Sequence, residues 1–505
     1  MNPSSEPEAM VAAYPLPIPS PVRHKHAASW LILLMALSVA ALGSRYLIAS
    51  SLGQHAVLAL GFFGILFGLM LYTPLQGVQA ALIYLALLGG LRRWLIPALG
   101  WTPLDVMVLV SPVLVFLYAA DLWRKHRIAR GTRLSRLLVF LLAVMVFQIL
   151  NPVQGGLTVG LGGAIFYIVP LLWFYVGNAL GPGLLRGMFR VTVGLSLLAA
   201  VYGLCQTFFG LLPVEQEWVR LAGYTSLMLD DNVVRAFAFF TSSEEYSQFL
   251  SIGLVLLWAA FLKGHRQALL PIPLLGLALF LESGRGNVVM ALAICVLLWA
   301  VQGATVRSWI PRGVLALALA SCGLIWSLHE VQQRSYDDRV QAAVQHQTEG
   351  LLDPLNAQHS TATTHYSMFT YGFTSGLSHP LGKGLGATTL AGSKFGDTGG
   401  NMEVDLSNLF VSLGLVGGIL YAAVLGIVTL MAFHYWQRDR SLEALRTLAL
   451  LAVVFGHWLD GGYYATAMLV WVCIGAMHRA ETEAASPNAA PEGMVSQKPV
   501  RGAAL

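Results

Sequence analysis

The sequence predicts an all-α polytopic membrane protein of about 14 transmembrane helices, with one large loop on the extracytoplasmic side. Three observations predict it. Only 11% of the 505 residues are charged and 56% are hydrophobic, against about 25% charged in an ordinary soluble domain. Such a chain lacks the polar side chains to cover a soluble surface. The apolar residues also fall in long runs, among them 28–47, 57–72, 314–328 and 409–433, with few or no charges. A hydrocarbon core of about 30 Å takes roughly 20 helical residues. Finally, the runs are continuous and rich in Leu, Ala, Gly and Val. A transmembrane barrel would show alternating segments of about ten residues instead.

The elements follow in order. Residues 1–27 carry three prolines in 14–21, then Arg23, His24, Lys25 and His26. No small-residue cleavage site with a soluble domain behind it follows, so 28–48 reads as a retained first span and not a signal peptide. Further spans are expected at 55–72, 76–91, 104–120, 134–151, 160–179, 188–210, 246–262, 268–282, 288–302, 313–329, 406–434, 445–459 and 462–478. The shorter ones need neighbouring helices or local thinning of the bilayer.

Orientation follows from Lys and Arg in short loops. The most basic loop holds Arg124, Lys125, Arg127, Arg130, Arg133 and Arg136 and is placed in the cytoplasm. Counting outward puts Arg186, Arg190, Lys263, Arg266, Arg307, Arg312 and residues 438–446 on the same side, together with both termini. Arg92 and Arg93 fall outside by this count, against the bias, which leaves a re-entrant hairpin open there. The chain thus divides into a cytoplasmic tail (1–27), helices one to eleven (28–331), the large loop (332–405), helices twelve to fourteen (406–479) and a cytoplasmic tail (480–505). The last is rich in Ala, Pro, Glu and Ser and is expected to be disordered. Counted from Glu330, the large loop holds eight acids and four basic residues, the reverse of the cytoplasmic bias. Its aromatic and Gly clusters point to folded structure, with a short amphipathic helix at 341–350.

Several function classes drop out. No basic face of the kind nucleic acid requires is present, so no nucleic-acid partner is expected. Cys205, Cys295, Cys322 and Cys473 lie in apolar spans and read as small hydrophobes. His329, His346, His359, His365, His379 and His457 fall at or beyond the outer face without metal-ligand spacing. Adjacent Asp337 and Asp338 are a weak cation signal. No metal and no cofactor is expected.

Four outer segments can carry chemistry. In 233–250, Arg235 sits among aromatics near the bilayer surface, where an arginine is costly without a partner. Thr241, Ser242 or Ser243 can cap the next helix, with Glu244 and Glu245 in its first turn. In 281–287, Arg285 defies the positive-inside bias between two glycines, and either pairs with Glu282 or holds an oxyanion with its planar fork. In 378–389, alternating glycines around His379 and Lys383 allow an anion nest. In 402–418, Glu403 and Asp405 are candidate bases for a hydroxyl, or else helix-capping charges. Gly414, Gly417 and Gly418 suit helix packing. His365 and His379 stay candidate proton carriers because of their setting.

These segments, in this order, resemble the O-antigen ligase and polymerase family of bacterial envelope glycan assembly. The resemblance rests on Arg235 with residues 237–248, on Ser283 to Gly286, on His379 to Gly386, and on Gly414 to Gly417, and covers roughly residues 200–435. It implies a GT-C-like glycosyltransferase architecture in the bacterial inner membrane, with the large loop periplasmic. It also implies undecaprenyl-diphosphate-linked glycans as donor and acceptor, held in grooves open to the lipid bilayer. The expected activity is polymerisation of oligosaccharide repeat units into O-antigen or exopolysaccharide, beside a flippase and a chain-length regulator. Arg235, Arg285 and Lys383 are the expected diphosphate ligands. Arg235, Arg285, His365, His379, Glu403 and Asp405 are the expected catalytic set. Ligases of the family carry His-Asn at the start of the helix after the loop, where this chain has Glu403, Asp405 and Asn408. That departure favours a polymerase over the alternatives of an O-antigen ligase or protein O-oligosaccharyltransferase. A lipid-glycan transporter, the remaining alternative, would place ionisable residues near the midplane in broken helices.

Overall fold

The structure is a computed structural model that describes residues 50–102, 105–127, 131–223, 229, 233–303, 306–356, 361–396, 400–459 and 464–485. The first expected span, 28–48, and the tail beyond 485 lie outside the described residues. Helices dominate, and no β-strand occurs among the described residues. In chain order they are α1 (Ser51–Tyr72), α2 (Pro74–Trp94), α3 (Val110–Arg124), α4 (Arg133–Ile149), α5 (Leu157–Leu180), α6 (Leu185–Phe209), α7 (Pro213–Ala222), α8 (Ser243–Leu262), α9 (Ile272–Glu282) and α10 (Arg285–Ala300). Then come α11 (Val306–Gln332), α12 (Asp338–Leu352), α13 (Ala362–Ser378), α14 (Asp405–Asp439), α15 (Leu442–Val453) and α16 (Tyr464–Ala484).

Eight helical stretches among the described residues are long and apolar enough to cross a membrane: α1, α2, α3, α5, α6, α8, α11 and α14, with α3 and α6 extended by a preceding 3-10 turn. This is the composition and architecture of a helical membrane protein. α4, α9, α10, α15 and α16 also fall on expected spans, the first four with 17, 11, 16 and 12 residues. Polar caps start several of them: Ser242 accepts from Glu245 N at 3.1 Å at the head of α8, and Thr132 and Ser441 do the same for α4 and α15. α8 runs through the middle, with 78% of its apolar window buried, whereas α11 is peripheral with 6%. α5 and α16 pack backbone to backbone: a Cβ on Gly177 would come within 2.0 Å of the Val472 carbonyl, and one on Gly475 within 2.0 Å of that of Phe174.

Helix ends gather on two faces, as alternation requires. On one, called here the loop face, α2 meets the head of α8 and α4 meets the 381–386 strip. On the opposite, basic face, Thr132 bonds to His478, Arg186 pairs with Glu443, and Arg438 pairs with Glu481. The last pair helps continue α16 to Ala484, five residues past the boundary expected at 479.

No re-entrant hairpin is needed around Arg92 and Arg93, since the flanking stretches, α2 and Val106–Arg124, have 21 and 19 residues and both are long and apolar enough to cross. Tertiary contacts take up the donors of the two arginines. Arg92 Nε donates to Asp105 at 2.8 Å. Arg93 is fully buried; its Nη1 and Nη2 each donate at 2.7 Å, to the carbonyls of Phe240 and Ala238, beneath the Trp218 and Phe237 rings.

α14 is broken. Gly414 has φ 69° and ψ −163°, so its two helical halves, separately regular, meet at a kink. The expectation that Gly414 serves close helix packing is replaced by this break, which only a residue without a Cβ adopts readily.

Candidate functional site

The loop face holds one dense polar cluster, built from three segments far apart in sequence. The strip 233–241 is tied down first. Gln206 Oε1 accepts from Phe237 N and Ala238 N, and Arg93 holds the carbonyls of Ala238 and Phe240. Ala238 takes a positive φ of 46° within this strip. So fixed, the strip points Arg235 at the α9–α10 hairpin. Arg235 Nη2 donates to Glu282 Oε1 at 2.5 Å, and its Nε donates to the Glu282 carbonyl at 3.2 Å. Glu282 is completely buried. Its second oxygen accepts from Gly284 N at 2.8 Å, and a Cβ on Gly284 would sit 2.5 Å from that oxygen. The glycine therefore lets the carboxylate fold back over the turn.

The arginine of the hairpin does not pair with Glu282. Arg285 reaches the large loop, where its Nη2 donates to Nε2 of His346 at 2.8 Å, within electrostatic reach of Glu349. Its guanidinium lies flat against Gly350, where a Cβ would meet Cζ at 2.1 Å. α12 is docked there by Val340 and Val344 against Leu281, and by Ser283 Oγ donating to the Ala343 carbonyl at 3.2 Å. Burial and the two nearby guanidinium charges push the His346 imidazole down to about 4, so it stays neutral and accepts from Arg285.

A second group faces the same cluster. Glu403 has φ 62°, in the left-handed region that a side chain rarely adopts. Asn401 Oδ1 accepts from Glu403 N at 2.8 Å, and Asn408 braces the turn through Asn401 and Met402 N. Glu403 thereby pairs with Nδ1 of His365, whose Nε2 bonds Thr361 Oγ1 at 2.8 Å. The hydrogen bond to Glu403 holds the His365 imidazole above its ordinary value, and Glu244 adds to the effect. Glu244 in turn accepts from Asn287 Nδ2 at 2.8 Å, two residues past Arg285. Glu403 and His365 thus form one pair, and Glu244, bonded to the hairpin that carries Arg285, lies within electrostatic reach of it.

Of the expected site residues, Arg235, Arg285, His365 and Glu403 belong to this cluster. Asp405 does not face it. It is fully buried, accepts from Tyr421 OH at 3.0 Å and Leu459 N at 2.7 Å, and fastens the start of α14 to the segment before α16. His379 ends α13, exposed, with its Nδ1 on Ser378 Oγ. Lys383 Nζ donates to Tyr371 OH at 3.0 Å, which holds that phenol below its ordinary value. Among the described residues, no contact joins His379 or Lys383 to the arginines.

The anion nest expected at 379–386 is not available, because its amides are already engaged. Gly382 N donates to the His379 carbonyl, Lys383 N to Val411, Gly384 N to Ser412, Leu385 N to Gln148, and Gly386 N to Gln154 Oε1. The break at Gly414 leaves the carbonyls of Val411 and Ser412 to the strip, and Leu415 N returns a bond to the Pro380 carbonyl at 3.1 Å.

Sequence reasoning missed His346, Gly350 and Asn287, and it took Glu244 for a helix-capping charge. A signal existed for two of them. Ala343, His346, Gln347 and Gly350 recur at i, i+3, i+4 and i+7, one face of a helix. Gln347 on that face and Gln248 on α8 are both buried, with neither amide atom hydrogen-bonded among the described residues. The arrangement can hold an oxyanion between two guanidinium groups and accept a proton at a histidine–carboxylate pair. Among the described residues, no group of three His, Cys, Asp or Glu side chains is placed to hold a metal ion. Compared with known protein families and with curated proteins, the chain matches none.

Proposed function

We propose that this protein is a membrane glycosyltransferase that joins polyprenyl-diphosphate-linked oligosaccharide units into a longer glycan. The observation that carries the reading is the approach of two guanidinium groups on the loop face, Arg235 on the buried Glu282 and Arg285 on His346 and Gly350, within electrostatic reach of each other and with α12 of the large loop packed against Arg285. Two fixed guanidinium groups suit a diphosphate leaving group, whose negative charge grows as the bond to the sugar breaks. On this reading the loop face is periplasmic, the chain spans the bacterial inner membrane about fourteen times including 28–48, and the architecture is GT-C-like.

The step is a single displacement. A hydroxyl of the acceptor sugar attacks the anomeric carbon of the donor, and the bond from that carbon to the diphosphate oxygen breaks. The electron pair leaves with the diphosphate, beside Arg235 and Arg285. The hydroxyl proton passes to the His365–Glu403 pair, whose imidazole is a stronger base than an ordinary histidine. One displacement inverts the anomeric configuration, and NMR of the product reads it. Glu244, bonded to Asn287 near Arg285 and within electrostatic reach of His365, supports this division of labour, because it brings base and leaving-group ligands to one site.

The test is a gel of surface or secreted polysaccharide from a deletion strain complemented with wild type, Arg235→Ala or Arg285→Ala at matched membrane abundance. The expected result is polymer with wild type and single repeat units with both variants. Full-length polymer in the deletion strain itself would end the polymerase reading. Full-length polymer from both variants would reduce the arginines to structural parts.

A further inference from the structure

The strip 379–386 and the short helix Leu390–Phe395 after it carry a surface that the candidate site does not use. The backbone of the strip makes little demand on water. The amides of 382–387 all bond within the chain, as do the carbonyls of His379, Pro380, Leu381 and Gly382. Two of those carbonyls are met by side chains at the end of α4: Gln148 Nε2 donates to Leu381 at 2.6 Å, and Asn151 Nδ2 to Gly382 at 3.2 Å. Gly382 and residues 384–389 are buried, and Leu381 and Leu390 beside them are exposed. A loop in water has no need of such complete pairing. Non-helical backbone at membrane depth does need it, and is tolerated only where protein buries it.

The depth follows from the helices underneath. Arg136 marks the basic end of α4, and at about 1.5 Å per residue Gln148 lies about 18 Å along the helix from it. The short helix rests on α5, where a Cβ on Gly162 would lie 2.3 Å from that of Ala391. Gly162 is about 27 Å from Leu180, the basic end of α5. α14 takes about 36 Å from Gly414 to Arg438, which a tilt in the usual range of roughly 0–40° shortens. A hydrocarbon core is about 30 Å thick. The strip and the short helix therefore lie at the level of the leaflet on the loop face, in the space beyond the end of the 17-residue α4.

What faces outward at this level is apolar. Phe140, Phe147 and Leu150 form an exposed stripe on α4, the last two 77% and 71% exposed. Leu381, held on Gln148, continues it at 82%, and Leu390 and Phe395 are exposed on the short helix. Lys383 and Lys394 set their ammonium groups against the rings of Tyr371 and Phe395. Long cationic side chains beside aromatic rings suit the border between acyl chains and headgroups.

We infer that the second half of the large loop, from Leu381 to Phe395, is a re-entrant element seated in the leaflet on the loop face, with lipid acyl chains as the partner of Leu381 and Leu390. This goes beyond the glycosyltransferase reading and does not rest on it.

The test places the photo-crosslinker p-benzoylphenylalanine in the full chain, in phosphatidylcholine nanodiscs, at position 381 or 390. Position 147 on α4 is the lipid-facing reference, and position 338 at the exposed head of α12 is the water-facing one. Irradiation is expected to add the mass of one phospholipid at 147, 381 and 390, and not at 338. No lipid adduct at 381 and 390, with 147 labelled, overturns the inference. A cross-linked dimer also overturns it, because the face is then a contact between two copies. A link to residues 28–48 of the same chain does so too, because a helix then covers the face. Should the cross-linker variants not accumulate, Leu381→Asp and Leu355→Asp decide, since both leucines are about equally exposed, at 82% and 80%. Leu381→Asp should lower membrane abundance about tenfold, the penalty of a carboxylate among acyl chains, and Leu355→Asp should leave it unchanged. Equal abundance of the two would place Leu381 in water and end the inference.

Discussion

The two halves of the large loop are fastened to the helices in different ways. The first half, α12, is docked through side chains: Arg285 on Gly350 and His346, Ser283 on Ala343, and valines on Leu281. The second half, 379–386, is docked through its own backbone, with the four successive amides of 383–386 bonded to α14, to α4 and to Gln154. The difference separates chemistry from scaffolding. A backbone-docked strip has no donors left for a ligand, however rich in glycine it is. A side-chain-docked helix leaves guanidinium and imidazole groups whose partners can be exchanged.

The comparison is broken most severely at Gly414. Its φ of 69° and the 2.2 Å approach of a Cβ to the Pro380 carbonyl leave no room for relaxation, because the obstructing atom is backbone. Gly414→Val should cost several kcal/mol, strain of about 1–3 kcal/mol plus the lost strip, and should sharply lower membrane abundance on immunoblots. An abundant, normally melting variant would mean that the strip does not hold α14.

Next comes Arg235→Ala, which leaves Glu282 buried without its ion pair. Breaking one partner of a buried pair costs roughly 3–5 kcal/mol, so thermal unfolding in detergent should shift well below that of Arg285→Ala. Adding Glu282→Gln should restore most of the stability and none of the polymer. Recovery of polymer in the double variant would assign Arg235 to structure alone.

Gly350→Ala sharpens the contrast from the other side. The obstructing atom here is the end of a flexible arginine, so the guanidinium is pushed aside while the helix stays. Abundance should hold within about 1 kcal/mol of stability, and polymer should fall roughly a hundredfold, the penalty of an ångström-scale displacement. Wild-type polymer would show that the position of Arg285 does not matter.

The smallest effects are the histidines, which are expected to oppose one another in pH. His346 lies at about 4 in the fold, below the ordinary 6.5. The unfolded chain therefore binds more protons in that window, and the contribution of His346 is complete above about 6.5 and lost as pH falls toward 4. His365 lies above its ordinary value. Its pairing with Glu403 is complete below that value and lost as pH rises through the folded one. Both partners are about half exposed, at 50% and 43%, so His365→Gln should shift stability by only about 0.5 kcal/mol. Unfolding temperatures of His346→Gln and His365→Gln followed from pH 4 to 8 read the two signs, and equal signs would remove the distinction between the sites.

The sequence by itself determined where the helices lie. Thirteen expected spans, from 55–72 to 462–478, fall on described helices, and 341–350 lies inside α12. These are local properties: an apolar run of sufficient length closes its own backbone hydrogen bonds wherever it is placed. The sequence also marked Arg235, an arginine among aromatics that needs a partner, and Arg285, an arginine in a hairpin where the charge bias expects none. What only the tertiary structure decided is who meets whom. Glu282 lies three residues from Arg285 yet pairs with Arg235, 47 positions away, while Arg285 bonds His346, 61 positions away. The same holds for Asp405, a candidate base by spacing, which the turn before α16 claims through Leu459 N. A glycine-rich strip reads alike whether its amides are open or engaged, since that depends on a break in α14 some thirty residues further on. Pairing of this kind is set by which helix ends share a face, and no stretch of chain contains both partners.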